Sequence, residues 1–190
     1  LAQALPAAPA WDPVVRGLLD GKHRTSVAWQ ADPQALQPDF HGLRVQARGE
    51  SLILDGLRHG VVAARFADSL LVSASLEGAP ALVVVGRDAP GLASEDFDTS
   101  DGGSLSTLRF AGVAVPATAL LARGEAVARA LSAAIAEATL ATAAQLLGVA
   151  TVALDITLDY LRLRVQFGQA IGSFQSLQHA AADVRSEEHT

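Results

Sequence analysis

The chain has 190 residues, of which 50% are apolar and 18% are charged, so it can bury the core of one or two small domains. Its net charge of −6, without a block of basic residues, argues against a nucleic-acid partner. It contains no cysteine, which excludes a disulfide framework and a cysteine-based metal site and is compatible with a reducing, cytoplasmic location.

The first 40 residues predict one helix, a short β-prone segment and a loop. Residues 1–10 are rich in alanine and proline and indicate a linker or a truncated element. Residues 11–19 have the apolar spacing of an amphipathic helix, with Asp12 and Pro13 as start signals and Gly21 as a stop signal. The chain contains no methionine, even at its first position, so we expect a fragment of a longer protein.

Short β-prone segments separated by turn signals extend to residue 116. They cover residues 24–30, 43–47, 51–54, 60–64, 69–74, 81–85, 105–110 and 112–116. The stretch 87–103 is polar and rich in glycine and aspartate, so we predict a loop there. Strands at this spacing, without helices between them, predict an antiparallel sandwich or barrel.

After residue 116 the composition changes to that of helices. Residues 124–164 are almost free of helix breakers, and their apolar side chains recur at steps of three and four. A helix of about 40 residues predicts a bundle or an oligomer interface. We expect no membrane span, because three polar side chains interrupt the apolar run: Arg129, Glu137 and Gln145.

The stretch 160–179 carries features that a plain core helix does not need. It reads Tyr-Leu-Arg-Leu-Arg-Val-Gln-Phe-Gly-Gln-Ala-Ile-Gly-Ser-Phe-Gln-Ser-Leu-Gln-His. Phe-Gly at 167–168 breaks one helix, and Gly-Ser at 172–173 opens the next. Arg164 at the end of one helix and the amides at the start of the next can converge on an anionic or amide-rich ligand.

This stretch resembles the C-terminal-domain signature of the acyl-CoA dehydrogenase family of flavoproteins. The shared pattern is Arg-x-Gln-Phe-Gly-x-x-Ile-x-x-Phe-Gln-x-x-Gln-His. Residues 67–74, 81–85 and 113–117 are similar to the middle domain of that family. The resemblance implies FAD as the cofactor, with an arginine on its diphosphate. The candidates for FAD contacts are Arg164, Gln166, Phe167, Gln175 and Phe174, the last with core packing as its alternative.

Element order and resemblance together predict an α+β fold. An antiparallel β-sandwich or barrel is followed by long antiparallel helices of an incomplete bundle. We predict the end of an N-terminal helical domain and a first β segment in 1–35, the middle β-domain in 36–121 and the first helices of the C-terminal domain in 122–184. Residues 185–190 are abruptly polar, and we expect a truncation or a foreign tail there.

The resemblance implies two segments at the flavin-ring end of the site. The family carries Lys-x-Trp-(Ile/Val)-(Ser/Thr), whose Trp lies against the ring and whose hydroxyl hydrogen-bonds it. Residues 58–62 here read Arg-His-Gly-Val-Val, so Gly60 stands for the Trp and Val62 for the hydroxyl residue. The family's Thr-Glu-Pro corresponds to Trp-Gln-Ala at 29–31, where Trp29 is a candidate for replacement aromatic surface.

The catalytic base is left unassigned. Dehydrogenation needs a carboxylate to remove the α proton, and most of the family places this Glu beyond the residues present here. Glu137 lies near the position used by a minority, but Ala138 aligns with it, and one residue turns a helical side chain by about 100°. The alternative for Glu137 is a solvated surface residue. The histidines lack metal-ligand spacing, and the aspartates near residue 100 predict a solvated turn rather than a cation site.

The implied function is FAD-dependent α,β-dehydrogenation of an acyl-CoA thioester, with electrons passed to an electron-transfer flavoprotein. The stretch 160–179 is called the arm below. We expect a homodimer or tetramer, because in this family the corresponding stretch reaches FAD that is held mainly by a neighbouring subunit. Two alternatives stay open. One is a catalytically degenerate subunit that scaffolds an active homologue in a hetero-oligomer, and the other is a flavin monooxygenase or nitroalkane oxidase on the same fold.

Overall fold

The computed structural model describes residues 11–34 and 36–187, and the chain divides into two compact units after Ala134. The α-helices in the described residues are α1 (Trp11–Leu19), α2 (Glu125–Leu163) and α3 (Gln175–Glu187). The strands there are β1 (Thr25–Ala28), β2 (Leu43–Arg48), β3 (Ser51–Val62), β4 (Ser69–Leu76), β5 (Ala79–Gly86), β6 (Leu92–Asp98), β7 (Ser104–Pro116), β8 (Leu120–Arg123), β9 (Val165–Gln166) and β10 (Gln169–Ala170).

One mixed sheet organises the first unit. Its strand order is β6-β7-β3-β2-β4-β5-β8, with β1 beside β4. The pairs β1–β4 and β2–β4 are parallel, because these strands approach β4 through long connections rather than hairpins, and the other pairs are antiparallel. The α+β class is confirmed. The described strands differ from the predicted antiparallel arrangement in these two pairs and do not close into a barrel.

The core lies against one face of this sheet and around β4. Alternate residues of β3 and β7 point inward, so Leu54, Leu108 and Phe110 are buried while their neighbours are more exposed. Strand β4 is buried at every position, because it has neighbours on both edges and layers on both faces. The first turn of α2 closes a second apolar cluster through Val127 and Ala130.

Strand β6 shows that the predicted loop at 87–103 is wrong in its middle. Leu92–Asp98 forms a strand that pairs along its whole length with β7. Its sequence, Leu-Ala-Ser-Glu-Asp-Phe-Asp, lacks the β-branched residues that favour strands. Pairing with a long neighbour therefore decides its conformation, and its charged side chains suit an edge of the sheet.

The ion pair between Asp68 and Arg24 predicts an acid-sensitive contribution to stability. Arg24 donates three hydrogen bonds to the Asp68 carboxylate, from its backbone N–H at 2.8 Å, from Nη2 at 2.9 Å and from Nε at 3.2 Å. These bonds lower the pKa of Asp68 to about 2. A carboxyl group with a lowered pKa stabilises the folded state above its ordinary pKa of about 4, and this contribution disappears as the pH falls toward 2.

We therefore expect Asp68→Asn to lower the urea midpoint at pH 6, with a difference from the wild type that shrinks as the pH falls from about 4 to 2. Both side chains are partly exposed, so the effect is small. Urea titrations at several pH values measure it. A difference that stays constant down to pH 2 would contradict the assignment.

In the second unit, α2 carries apolar side chains on two opposite faces. Leu154 is buried and Leu158 half-buried on one face. Helix α3 runs back along α2, because Gly172 lies close to the Leu161 carbonyl and Arg185 Nη1 is 3.8 Å from the Asp155 carboxylate. The predicted antiparallel helices are confirmed. The opposite face of α2 carries exposed apolar side chains at helical spacing: Val149, Val152, Ile156, Tyr160 and Leu163.

By length and composition alone, α2 could cross a membrane. Its most apolar window has a mean hydropathy of 1.5, and 6% of that window is buried. The interruptions named from the sequence do not exclude a span, because the run 138–154 between Glu137 and Asp155 contains no charge. A core helix meets the same criteria, and the first turns of α2 are buried in protein at Val127 and Ala130.

Candidate cofactor site

The structure joins the two segments that the sequence resemblance assigns to the flavin-ring end. Gln30 forms an isolated antiparallel β-bridge with His59. The His59 backbone N–H donates to the Gln30 carbonyl oxygen at 2.8 Å. Segments 29–31 and 58–62 therefore form one local surface in the first unit, although about thirty residues separate them along the chain.

A β-bulge at Gly60 shapes this surface. The pairing of β3 with β7 shifts by one residue between Arg58 and Val61, and Gly60 has a φ of +59°. The extra residue reverses the alternation of the strand. Arg58 and Val61 are consequently both buried, whereas Val62 points outward and is 66% exposed.

The Gln30 side chain fills the space next to Gly60. A Cβ atom at position 60 would lie 2.5 Å from Gln30 Oε1, which is closer than atoms of neighbouring residues approach. A tryptophan at this position would therefore displace the Gln30 carboxamide. Neither Gly60 nor Val62 offers a hydrogen-bonding side chain, and the carboxamide oxygen of Gln30 is the polar side-chain atom that a Cβ atom at position 60 would meet.

The outward faces of β3, β7 and β6 continue this surface as two rows of side chains. The polar row includes His59, whose Nδ1 is 3.4 Å from Thr107 Oγ1. The neighbouring apolar row pairs Val62 with Leu105 and Leu105 with Phe97 across three strands. Leu105 is 37% exposed and Phe97 is 49% exposed, so this part of the sheet face is apolar and accessible.

Arg58 lies beneath this surface and ties three chain segments together. Its Nε and Nη2 donate to the Ser73 carbonyl oxygen at 3.1 and 2.7 Å, and Nη2 also donates to the Asp39 carbonyl oxygen at 3.2 Å. Its Nη1 donates to the Leu57 carbonyl oxygen at 2.8 Å. These hydrogen bonds of the Arg58 guanidinium form the Arg58 clamp. The Ser73 hydroxyl donates to the Trp29 carbonyl oxygen at 3.3 Å, which connects the clamp to segment 29–31.

The environment of Arg58 leaves its charge intact at neutral pH. Burial lowers the pKa of Arg58 to about 10, and the negative charge of Asp39 opposes the shift. The sequence analysis noted position 58 only within the family pattern and missed this clamp. The available signal was a charged residue at a position where the alternation of β3 demands an inward-facing side chain.

The five predicted FAD contacts lie in the second unit, on and next to a short hairpin between α2 and α3. Strand β9 pairs with β10, and the two residues between them, Phe167 and Gly168, have φ values of +51° and +80°. Positive φ at both positions is typical of a type I′ turn. A phenylalanine in this conformation is strained, and such strain often marks functional segments.

The hairpin and its flanks present one aromatic and several polar side chains to solvent. Phe167 is 93% exposed and makes an edge-to-face contact with Phe174, with ring centroids 6.2 Å apart. Arg164, Gln166 and Gln175 are all exposed. The Arg164 carbonyl oxygen accepts the Ile171 N–H at 2.8 Å, which closes the hairpin at its base. The predicted contacts thus lie within the twelve residues 164–175, which form the hairpin and the start of α3.

Comparison with known proteins identifies the family of this chain. A family model described as "Acyl-CoA dehydrogenase, C-terminal domain" matches residues 122–190. The mitochondrial short/branched chain specific acyl-CoA dehydrogenase of Rattus norvegicus is 29% identical over 153 residues, which cover 76% of this chain and 35% of the relative. The chain belongs to the acyl-CoA dehydrogenase family.

Two solved structures of this kind share the fold. The ChsE4-ChsE5 complex from Mycobacterium tuberculosis matches with a TM-score of 0.76 and 28% identity, over 91% of this chain and 45% of that chain. A glutaryl-CoA dehydrogenase from Mycobacterium smegmatis in complex with FADH2 matches with a TM-score of 0.81 and 23% identity, over 93% and 46%. This acyl-CoA dehydrogenase-family chain therefore spans less than half the length of these relatives.

The chemistry of the acyl-CoA dehydrogenase-family arm fits part of a flavin dinucleotide. The Arg164 guanidinium can meet phosphate oxygens through paired donors, and the first N–H groups of α3 favour negative charge. The flavin-ring end differs from the family pattern, because the positions that hold an indole and a hydroxyl in the family hold Gly60 and Val62 here. The remaining polar groups there are Gln30, His59 and Thr107.

In the part of the chain that the structure describes, the other acidic side chains provide neither a metal site nor an assigned base. Within residues 11–34 and 36–187, no group of three His, Asp or Glu side chains could hold a metal ion. Asp96 accepts hydrogen bonds from the Ser106 and Ser94 hydroxyls at 2.6 and 2.5 Å, which lower the pKa of Asp96. Glu137 lies on an exposed part of α2.

Proposed function

We propose that the chain is part of an FAD-dependent oxidoreductase that dehydrogenates an acyl-CoA thioester between its α and β carbons. The observation that carries the proposal is the arm: Arg164, the hairpin and the start of α3 lie together within the segment that matches the family model. A glutaryl-CoA dehydrogenase with the same fold is in complex with FADH2, which supports FAD as the cofactor.

The chain's own residues would bind and orient the cofactor. Arg164 would neutralise the diphosphate, and the Gln166 and Gln175 amides would hydrogen-bond its polar groups. The Phe167–Phe174 contact would fix the hairpin, because it restrains the exposed ring at the turn. When bound, FAD supplies the acceptor for the hydride that leaves the β carbon.

Partners and location are parts of the same proposal. Electrons would pass to an electron-transfer flavoprotein, and the protein would assemble as a homodimer or tetramer. The ChsE4-ChsE5 complex, which is a structural neighbour, supports assembly within the family. A cytoplasmic location remains a prediction from the absence of cysteine.

The arm is tested by replacing Arg164 with methionine in the complete protein. We expect FAD to bind on the order of tenfold to a hundredfold more weakly, because a charge-assisted pair with phosphate is lost. Titration with FAD, followed by flavin fluorescence, measures the dissociation constant. Arg164→Lys should retain part of the affinity through its charge.

Arg162→Met is the matched control for this experiment. Arg162 lies two residues before Arg164, in the last turn of α2, and its Nη1 forms an ion pair with the Asp159 carboxylate at 2.8 Å. We expect it to leave FAD affinity unchanged. Equal affinities of the wild type and Arg164→Met would contradict the arm, and a wild-type protein that takes up no FAD on reconstitution would contradict the proposed function.

The ring end favours a second candidate function, a catalytically degenerate subunit that scaffolds an active homologue. Gly60 and Val62 carry neither the indole nor the hydroxyl, and Gln30 occupies the space beside Gly60. Under this proposal, affinity purification recovers a second, complete member of the family, and Gly60→Trp with Val62→Thr creates no dehydrogenase activity. Isolation of a homo-oligomer with bound FAD would argue against it.

A further inference from the structure

We propose that the free edge of strand β6 is a docking site for an extended segment of a partner protein, which adds to the sheet as a further strand and carries lysine or arginine side chains. Strand β6 lies at one end of the sheet, and β7 is its one strand neighbour among the residues that the structure describes. The inference goes beyond the proposed function, because docking at this edge needs neither FAD nor an acyl-CoA.

The backbone of β6 offers hydrogen-bonding groups to the free edge at a regular spacing. The Ala111 N–H donates to the Gly91 carbonyl oxygen at 3.0 Å, and the Thr99 N–H donates to the Gly103 carbonyl oxygen at 3.1 Å. The odd-numbered residues from 91 to 99 therefore direct their backbone groups at β7, since this direction alternates along a strand. The backbone groups of the even-numbered residues point to the free edge, where no described strand meets them: Ser94, Asp96 and Asp98.

The side chains of β6 determine the charge of the strand that can dock. The strand carries three carboxylates and no basic residue. Asp98 pairs with Arg65, whose Nη1 lies 2.6 Å from the carboxylate. Glu95 and Asp96 form no ion pair within residues 11–34 and 36–187. A second copy of β6 on this edge would place carboxylates next to carboxylates, so the edge disfavours its own copy and favours a basic strand.

A buried hydroxyl group beside β6 supports a basic partner. Ser104 is 2% exposed, stands opposite Asp98 in the register, and has no hydrogen-bond partner for its Oγ in the described part of the chain. Ser106, two residues further on, shares this face and donates from its Oγ to the Asp96 carboxylate at 2.6 Å. The Ser104 hydroxyl and two carboxylates therefore share one face near the edge, and a buried hydroxyl without a partner calls for a further polar group. An ammonium or guanidinium group brings several donors and would supply it.

The other face of the same edge is partly apolar. Ala93 and Phe97 point outward there, Phe97 is 49% exposed, and its neighbour on β7 is Leu105, which is 37% exposed. Apolar side chains of an added strand would cover these groups, because neighbouring residues of adjacent strands pack on a shared face. A segment that alternates basic and apolar residues therefore matches both faces of the edge.

The test titrates the complete protein into the heptapeptide Lys-Val-Lys-Val-Lys-Val-Lys, which carries fluorescein at its N-terminus and is followed by fluorescence anisotropy. We expect saturable binding that weakens as the salt concentration rises, because exposed charges attract the peptide. Hydrogen exchange should slow on the order of tenfold at the amides of Ser94, Asp96 and Asp98. The amides of Glu95 and Phe97 should change little, because they already pair with β7.

Ser94→Pro removes one donor of the free edge. The Ser94 N–H points away from β7, so proline leaves the pairing of β6 with β7 in place. We expect it to weaken peptide binding on the order of tenfold. Ser94→Ala is the matched control, because it loses the hydroxyl group but keeps the N–H, and it should bind as the wild type does. Circular dichroism establishes that both variants are folded.

A second pair of variants tests the charge and leaves every backbone donor in place. The double variant Glu95→Gln/Asp96→Asn should weaken binding about threefold to tenfold. Glu50→Gln is its control, because Glu50 is an exposed acidic residue at the turn before β3, and we expect it to bind the peptide unchanged. A peptide of alternating glutamate and valine should not bind to the wild type.

Four outcomes would overturn the docking site. The first is the absence of saturable binding to the wild type, and the second is binding without protection of the three edge amides. The third is equal affinity of Ser94→Pro and Ser94→Ala. The fourth is protection of the edge by a second copy of the chain in the absence of peptide. Because no readout involves flavin, each of these results would leave the proposed function standing.

Discussion

Replacing Arg58 with methionine is expected to lower the free energy of unfolding by about 2–4 kcal/mol. The substitution removes the guanidinium donors from one buried carbonyl group, that of Ser73, and from two partly buried ones, those of Asp39 and Leu57. It also releases the connection through Ser73 to Trp29. Part of this loss is offset, because methionine avoids the desolvation that lowers the pKa of Arg58 to about 10.

Urea unfolding, followed by the fluorescence of Trp29, measures the change. Arg58→Lys should lie between the wild type and Arg58→Met, since an ammonium group keeps the charge but cannot span three carbonyl groups. Arg48→Met is the control, because Arg48 is exposed and makes one long hydrogen bond of 3.4 Å. Equal unfolding free energies for Arg48→Met and Arg58→Met would show that the clamp does not stabilise the fold.

Replacing Gly56 with alanine is expected to lower the free energy of unfolding by about 3–5 kcal/mol. Gly56 has a φ of +144°, a conformation that is open mainly to glycine. A Cβ atom there would lie 2.4 Å from the Gly42 carbonyl oxygen and 2.7 Å from the Leu43 Cα. Both are backbone atoms of the neighbouring chain segment, so no side chain can rotate away to relieve the contact.

The control for Gly56→Ala is Gly49→Ala, because Gly49 has a positive φ but open space around the added methyl group. We expect Gly49→Ala to lower the free energy of unfolding by about 1–2 kcal/mol, the cost of a left-handed conformation alone. The difference in unfolding free energy between the two variants measures the cost of placing a methyl group where the chain at Gly42 and Leu43 approaches Gly56. Equal losses would mean that the two strands separate without cost, which would contradict the tight contact at Gly42.

Several parts of the protein follow from local sequence pattern. The helix Glu125–Leu163 was predicted within a residue at each end, because glycine precedes it, Phe-Gly follows it and Gly148 is the one breaker in its interior. Helix α1 begins at Asp-Pro signals and ends before Gly21, whose φ is +66°. The family signature at 160–179 is likewise local, since its residues lie on one hairpin and the helix ends beside it.

Other parts depend on contacts between distant segments. Strand β6 is polar in sequence and is a strand because β7 offers a full row of hydrogen-bonding partners. The parallel pairs of β4 with β1 and β2 join segments more than 25 residues apart, for which no periodicity gives a signal. The bulge at Gly60 reversed the alternation of β3, so a regular two-residue period assigns the wrong face to Val62.

The sequence alone therefore determined the family and the α+β class, because the arm signature and the change from strand to helix composition are properties of contiguous residues. Only the tertiary structure decided the ring end of the candidate site. It placed Gln30 beside Gly60 and buried Arg58 under both. The physical reason is that a hydrogen bond to a backbone carbonyl carries no residue identity, so the partners that hold segment 29–31 leave no pattern in the sequence.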